Sequence, residues 1–400
     1  MRLMSGADLH GASCAVAPRA RRPRVAPGWI VVGLALAAGV ARPALAEDAL
    51  EDAASGSMVR YFIDSGHVTV RSFVNDATVA LRKDLGLTLH WNNEKVTVPA
   101  IQAPVGSREA IDAITTASRP ISNDAYRDFV KVRNELQAGL ARGPATVDYY
   151  YSTESDYLAQ QVGAHYNHDL AGRQLNLAVG TSYGWDAVEP LADSDTQTGP
   201  DTRTTLHGNV VATSILTPSS IVRFGVELNE VQGLQHNPYR HVYAGGTSVA
   251  ERHPDHRQRA DAFMKFNQYL PNRSSLKLNY RFYRDDWGIV SHEVGTRLAQ
   301  YLTRGFYAQY QYRWYAQTAA DFYRPEYETA SGVEGYLTGD YRMGPLSSHL
   351  FGVSLAADLG VLTPDTPLWR RFGITLDYER YFNSNNYSAD ILETGVELRF

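Results

Sequence analysis

Between Ser274 and Tyr283 the side chains alternate without a break. Leu276, Leu278, Tyr280 and Phe282 fall on one face, and Ser275, Lys277, Asn279 and Arg281 fall on the other. A repeat of two sends successive side chains to opposite faces of an extended strand, and no helix does this. The pattern returns in Phe306–Tyr315, where Phe306, Ala308, Tyr310, Tyr312 and Trp314 oppose Gln309, Gln311 and Arg313. It returns again in Phe372–Phe382 and in Leu392–Phe400. In Val130–Ala141, Val130, Val132, Leu136, Ala138 and Leu140 oppose Lys131, Arg133, Glu135 and Gln137. That stretch also fits a helical stripe through Phe129, Val132, Leu136 and Leu140. The turn Arg142-Gly143-Pro144 into another strand-like run, Thr146–Tyr151, favours the strand.

After Glu47 no apolar run approaches the 18 or so residues of a membrane helix. The mean hydropathy of −0.32 excludes a bundle of such helices. It is compatible with barrel strands, which are apolar on one face only. The chain is far richer in Tyr (25) than in Phe (13) or Trp (6). An apolar ring with a polar tip suits a surface half in lipid and half in water.

The first segment has the order of an export signal. Arg19, Arg21, Arg22 and Arg24 precede an apolar run from Val25 to Ala41, and Ala44-Leu45-Ala46 supplies a small-residue cleavage site before Glu47. Residues 1–46 are therefore read as a cleaved signal peptide and 47–400 as one barrel domain. A non-cleaved anchor is the alternative. The leader carries six Arg and one Asp, leaving 32 basic and 42 acidic residues in the mature chain. Nucleic acid, which needs a basic face, is excluded as a partner. The sole cysteine, Cys14, leaves with the leader and precedes its apolar run, so neither a disulfide nor a lipoprotein anchor is expected.

Turns alternate short and long. The short ones are Lys83–Gly86, Arg142–Ala145, Ala171–Arg173, Thr217–Ser219, Pro271–Ser274 and Thr303–Gly305; the long ones run about Pro99–Arg127, Asp186–Asp201, Val231–His256 and Gln317–Pro345. This is the rhythm of periplasmic turns and extracellular loops in an outer-membrane barrel. The expectation is an all-β, transmembrane antiparallel β-barrel of about 16 strands, with 14 as the alternative count. Gly335–Gly360 is the stretch where a split into two strands would break the even number. A soluble β-sandwich also alternates, but it explains neither the leader nor the C-terminus. Phe400 ends an alternating strand and shares a face with Val396 and Leu398. An aromatic terminus of this kind resembles the signal read by the outer-membrane barrel assembly machinery, the expected partner besides the bilayer itself. The oligomeric state is not readable.

Several phrases resemble those of the DUF3570 family of uncharacterised outer-membrane barrels. They are Glu154-Ser155-Asp156-Tyr157, Ser182-Tyr183-Gly184-Trp185-Asp186, Asn237-Pro238-Tyr239-Arg240, Tyr283-Arg284-Asp285-Asp286-Trp287-Gly288-Ile289 with Ser291-His292, and Thr318-Ala319-Ala320-Asp321-Phe322-Tyr323. The resemblance spans most of the mature chain. It implies a barrel in a proteobacterial-type outer membrane and implies no activity.

Besides Phe400, three groups of residues are candidates for function. Asp285, Asp286, Trp287 and Gly288 read as a tight turn, with Gly288 at positive φ, an Asp bonding the turn's amides, and Trp287 in an interfacial girdle. An acidic pair acting with His292 is the catalytic alternative, opposed by alternation, which puts His292 on the lipid face. His236, His241, His253 and His256 sit in one long loop and could hold a metal, although their spacing matches no tight ligand motif. A solvated loop is the plainer reading. The inward set is Arg71, Lys131, Arg133, Glu227, Lys277, Arg281, Arg297, Arg313, Asp377, Glu379 and Glu397, and sixteen strands leave room for an aqueous lumen. No nucleophile context, phosphate loop or zinc motif appears, so no catalytic residue and no cofactor are assigned. The leading function is a pore or transport-associated barrel for a small polar or anionic solute. The alternatives are an outer-membrane enzyme acting on lipid or peptide, and a surface barrel that binds a metal or partner.

Overall fold

A computed structural model describes residues 52–82, 84–100, 127–191, 199–362 and 371–399. The proposed leader and Phe400 lie outside these residues. The alternating segments form long strands: β1 (Asp52–Asp64), β2 (Thr69–Arg82), β3 (Leu85–Val98), β4 (Phe129–Arg142), β5 (Ala145–Thr153), β6 (Tyr157–Leu170), β7 (Leu175–Val188), β8 (Asp201–Thr217) and β9 (Ser220–Gly233). A short hairpin follows, β10 (His241–Ala244) and β11 (Thr247–Ala250). The barrel resumes with β12 (His256–Leu270), β13 (Ser274–Asp285), β14 (Val290–Tyr301), β15 (Phe306–Gln317), β16 (Leu346–Asp358), β17 (Phe372–Asn383) and β18 (Ser388–Arg399).

All strands except the β10–β11 hairpin form one closed sheet of sixteen, each paired antiparallel with its neighbours in sequence. Closure is made by β1 against β18, from Ala54↔Arg399 to Asp64↔Ala389. Closing the sheet removes both edges, so every strand has a hydrogen-bonding partner on each side, as a lipid environment requires. Phe129–Arg142 is a strand, not a helix. Within Gly335–Gly360 only Leu346–Asp358 enters the barrel, and the even number stands.

Antiparallel order puts the first and last strand ends on the same side. The turns β2–β3, β4–β5, β6–β7, β8–β9, β12–β13 and β14–β15 lie at that terminal end, and the longest connections among the described residues, 234–255 and 318–345, lie at the opposite one. The outer face is apolar along the strands: Leu206, Val226, Leu228 and Leu278 are all exposed, Leu228 by 60%. A soluble protein rarely exposes so continuous an apolar surface, and here it forms the band that meets lipid.

One inward assignment is corrected. Arg71 pairs across strands with Tyr61, whose neighbour on the same face, Val59, is exposed. Arg71 therefore points out, with its guanidinium 5.8 Å from the Tyr61 ring. The cause is an apolar cluster of Val68, Val70, Val96 and Val98, with Phe62 and Phe129, inside the barrel at the loop end. There, apolar side chains mark the inner face.

Candidate functional site

Register turns the inward side chains into rows that cross neighbouring strands. Lys277 lies opposite Arg297, Arg297 opposite Gln311, Gln311 opposite Gly352, and Gly352 opposite Glu379. Arg223 lies opposite Lys265, and Asp377 opposite Glu393. Lys277, Arg281, Arg297, Arg313, Asp377 and Glu379 alternate with Leu278, Tyr280, Leu298, Tyr310, Tyr378 and their like, which are exposed outside. All six thus face the lumen.

Their electrostatic situations differ. Arg281 is tied down: Nε donates to Asp261 at 3.0 Å and Nη2 at 2.8 Å, and Nη2 also approaches Glu227 at 3.4 Å. Glu379 accepts from Gln311, and Glu393 pairs with Arg60. Arg223 donates to the Thr213 hydroxyl at 3.1 Å, and the Lys265 ammonium lies 5.0 Å from the Phe263 ring. Among the described residues none of Arg223, Lys265, Lys277, Arg297 and Arg313 has a carboxylate within ion-pair distance, in contrast to Arg281. Two carboxylate–imidazole pairs also face inward, Asp76–His90 at 2.7 Å and Asp148–His165 at 3.2 Å.

Above the lumen the two long loops form a roof. Gly245 and Gly246, with φ of +59° and +78°, make the tight turn that closes the β10–β11 hairpin. Val242 and Ala244 of that hairpin pack on Tyr327 and Leu337 of the second loop. A second cluster joins Trp287, Ile289, Ala320 and Phe322. Tyr239 is almost fully buried, and its hydroxyl donates to Asp156, in the β5–β6 turn, at 2.5 Å. Asp156 and Glu154 also hold the Lys131 ammonium, at 2.8 and 2.6 Å. Between the β5–β6 turn and the β15–β16 loop lie strands β6–β9 and β12–β15 on one side, and β16–β18 with β1–β5 on the other. The roof therefore spans the mouth along a diameter.

Buried charge braces it. Glu251 accepts from the Thr338 hydroxyl and the Gly339 amide, both at 2.9 Å. Burial pushes its carboxyl up, against the pull of Arg240. Burial also raises Asp340, but the guanidinium groups of Arg342 and Arg240 outweigh it and hold the carboxyl below the usual range. His253 is pulled down to about 3 by burial and, secondarily, by His236, so it is neutral in ordinary buffers.

The turn after β13 keeps its expected geometry. Gly288 has φ +88°, and a Cβ there would meet the Asp321 carboxylate at 2.3 Å. Asp285 accepts from the amides of Trp287 at 3.1 Å and Ile289 at 2.9 Å. Asp286 lies 3.5 Å from His256. Trp287 departs from the girdle expectation. It is 4% exposed, with the Arg257 guanidinium 4.2 Å from its ring and its indole N–H donating to the His256 carbonyl at 3.0 Å. Asp285 holds Arg257 from the side, Nε at 2.9 Å. His292 stays on the outer face, where Tyr280 and its Nδ1 lie 2.8 Å apart.

The four loop histidines do not converge. His236 and His253 meet edge to face with centroids 6.0 Å apart. His256 faces Glu230 and Asp286, and His241 is buried on β10. Among the described residues no group of three or more His, Cys, Asp or Glu side chains is arranged to hold a metal ion.

Lys131, from the inward set, carries the roof together with Tyr239, Asp156, Glu251 and Asp340, which the sequence did not mark as site residues. Tyr239 and Asp156 are signalled only by the phrases quoted above, and Glu251 and Asp340 lie outside them. Asn237–Arg240 meets Glu154–Tyr157 through Tyr239 and Asp156. The phrase at Trp287 meets Thr318–Tyr323, where the Asp321 amide donates to the Trp287 carbonyl at 2.9 Å.

The sequence pattern described as "Protein of unknown function (DUF3570)" matches residues 38–363. Among solved structures the chain is similar to the outer membrane protein opdK from Pseudomonas aeruginosa, with 10% identity and a TM-score of 0.42 over 88% of this chain and 99% of that one. It is also similar to a loop L8 deletion mutant of OmpT, an outer membrane protein of Vibrio cholerae. The identity there is 9%, with a TM-score of 0.42 over 88% of this chain and 100% of that one. No curated protein matches the sequence.

Proposed function

The chain belongs to the DUF3570 family, and we propose that it works in the outer membrane as a pore for a small polar or anionic solute. Residues 1–46 serve export and are removed, and Phe400 is read by the barrel assembly machinery. The terminal end then faces the periplasm and the roof faces outside. The observation that carries this reading is the set of lumen cations without carboxylate partners, Lys277, Arg297 and Arg313 foremost. A wall built only for strength would neutralise them, as Asp261 neutralises Arg281. In a wet lumen they raise the local anion concentration, an effect that salt weakens.

An enzyme is the second reading, favoured by the inward pairs Asp76–His90 and Asp148–His165. The imidazole contacts described for those pairs are to carboxylates and not to a hydroxyl, so the nucleophile of such a site lacks a candidate. The test is the reversal potential of purified protein in a planar bilayer under a KCl gradient. Anion preference is expected in the native chain, with a shift toward cations in R297E/R313E. Folded protein with no conductance would overturn the pore.

A further inference from the structure

We infer that the row Lys277–Arg297–Gln311–Gly352–Glu379 is a binding strip for a small zwitterion, with its anionic group on Lys277 and Arg297 and its cationic group on Glu379. This rests on the pore reading and names its solute.

The row is fixed by register. Each member faces the next across one strand pair, from β13 to β17. Like charges directly opposed on adjacent strands repel, whereas opposite charges there would stabilise the sheet. Lys277 against Arg297 is therefore an arrangement that stability alone would not select. The pattern is repeated one pair away, Arg223 against Lys265. It is mirrored in sign on the other side, Asp377 against Glu393. The cations without carboxylate partners are gathered on β9–β15, beside the acids Glu227, Asp261 and Glu293 that surround Arg281. Among the described side chains the inward charges of β17 and β18, Asp377, Glu379, Glu393 and Glu397, are all acidic; β16 between them contributes the uncharged inward positions Leu350, Gly352 and Ser354.

The middle of the row is built as a polar floor. Gln311 donates its amide to Glu379. A Cβ at Gly352 would meet the Gln311 side chain at 2.6 Å, so glycine is what lets the amide lie flat against the wall. From Arg297 to Glu379 the row crosses three strand spacings, about 15 Å along the wall at ~4.8 Å each. Glu379 reaches back to the Gln311 amide, whose backbone lies one strand from Arg297, and this shortens the gap between the two charges. A neutral solute gains nothing from either end. A dianion gains at one end and is repelled at the other. A zwitterion satisfies both at once.

Proteoliposome swelling with solutes of similar mass tests this: glutamine as the zwitterion, xylitol as the neutral control and glutarate as the dianion. Glutamine should enter faster than xylitol, by on the order of tenfold. K277Q/R297Q and E379Q should each abolish that preference while leaving xylitol entry intact, which also shows that the variants are folded. Equal entry of glutamine and xylitol, or fastest entry of glutarate, overturns the inference and leaves the pore standing. Entry of none of the three overturns both.

Discussion

The Tyr239 hydroxyl, in the loop after β9, donates to the Asp156 carboxylate in the β5–β6 turn at 2.5 Å, fastening one side of the roof to the rim. A hydrogen bond to a charged acceptor contributes about 1.5–3 kcal/mol. Y239F removes it and leaves Asp156 on Lys131 at 2.8 Å. The expected result is faster proteolysis within 234–255, with the barrel's resistance to unheated SDS unchanged. Native-like protection of that loop would show that the anchor lies elsewhere.

Trp287 closes another part of the roof, with the Arg257 guanidinium over its ring and Phe322 against it edge to face. Truncating a buried aromatic typically costs about 3–5 kcal/mol. W287A should expose the loops to protease more severely than Y239F does. W287F, which keeps a ring over Arg257 but loses the bond to the His256 carbonyl, should fall between W287A and the native chain. If all three behave alike, the aromatic cluster does not hold the roof.

The roof should respond to pH through two groups of opposite sign. His253 sits at about 3, below its ordinary 6.5, so the opened roof takes up the proton first and closure weakens as pH falls below 6.5. Glu251 is raised above its ordinary 4.5, so closure weakens as pH climbs past that value. Asp340, held low by Arg342 and Arg240, stays ionised throughout. E251Q leaves the histidines, His253 and its neighbour His236, which burial also holds low. Its roof should be cut faster at pH 5 than at pH 7, and more slowly than the native roof at pH 8. No pH dependence in E251Q would mean that His253 is already charged in the closed state.

Assembly should depend on the last residue. In the alternation of the sequence Phe400 shares its phase with Val396 and Leu398, and Arg399 has the opposite phase. Deletion of Phe400 should sharply reduce the heat-shifting, folded form recovered from outer membranes, and R399A should reduce it little. Equal recovery would remove the terminal aromatic from the account.

The barrel was legible because an apolar outer face and a polar inner face impose a period of two on each strand, as in Ser274–Tyr283. The rows were not, because pairing lies between segments: nothing along β13 alone says that Lys277 faces Arg297 or that Arg281 is held by Asp261. Arg71 was misplaced because Val68, Val70, Val96 and Val98 pack inside the barrel, which inverts the usual meaning of an apolar face. Trp287 was misread because its partner Arg257 sits on another strand and the tight turn hides its inward course. The roof has no periodicity to read. Tyr239 and Asp156 stood out only as parts of phrases, Glu251 and Asp340 not at all, and the contacts among them required the fold.

Single-channel recording bears most directly on the central claim, that this barrel is a pore roofed by its own loops. The native chain should be compared with a form in which residues 236–253 are replaced by a short Gly-Ser linker. Both should conduct, with the roofless form passing the larger current and closing less often. Silence from both forms, when each is shown by its heat shift to be folded, would contradict the claim. So would identical current from the two.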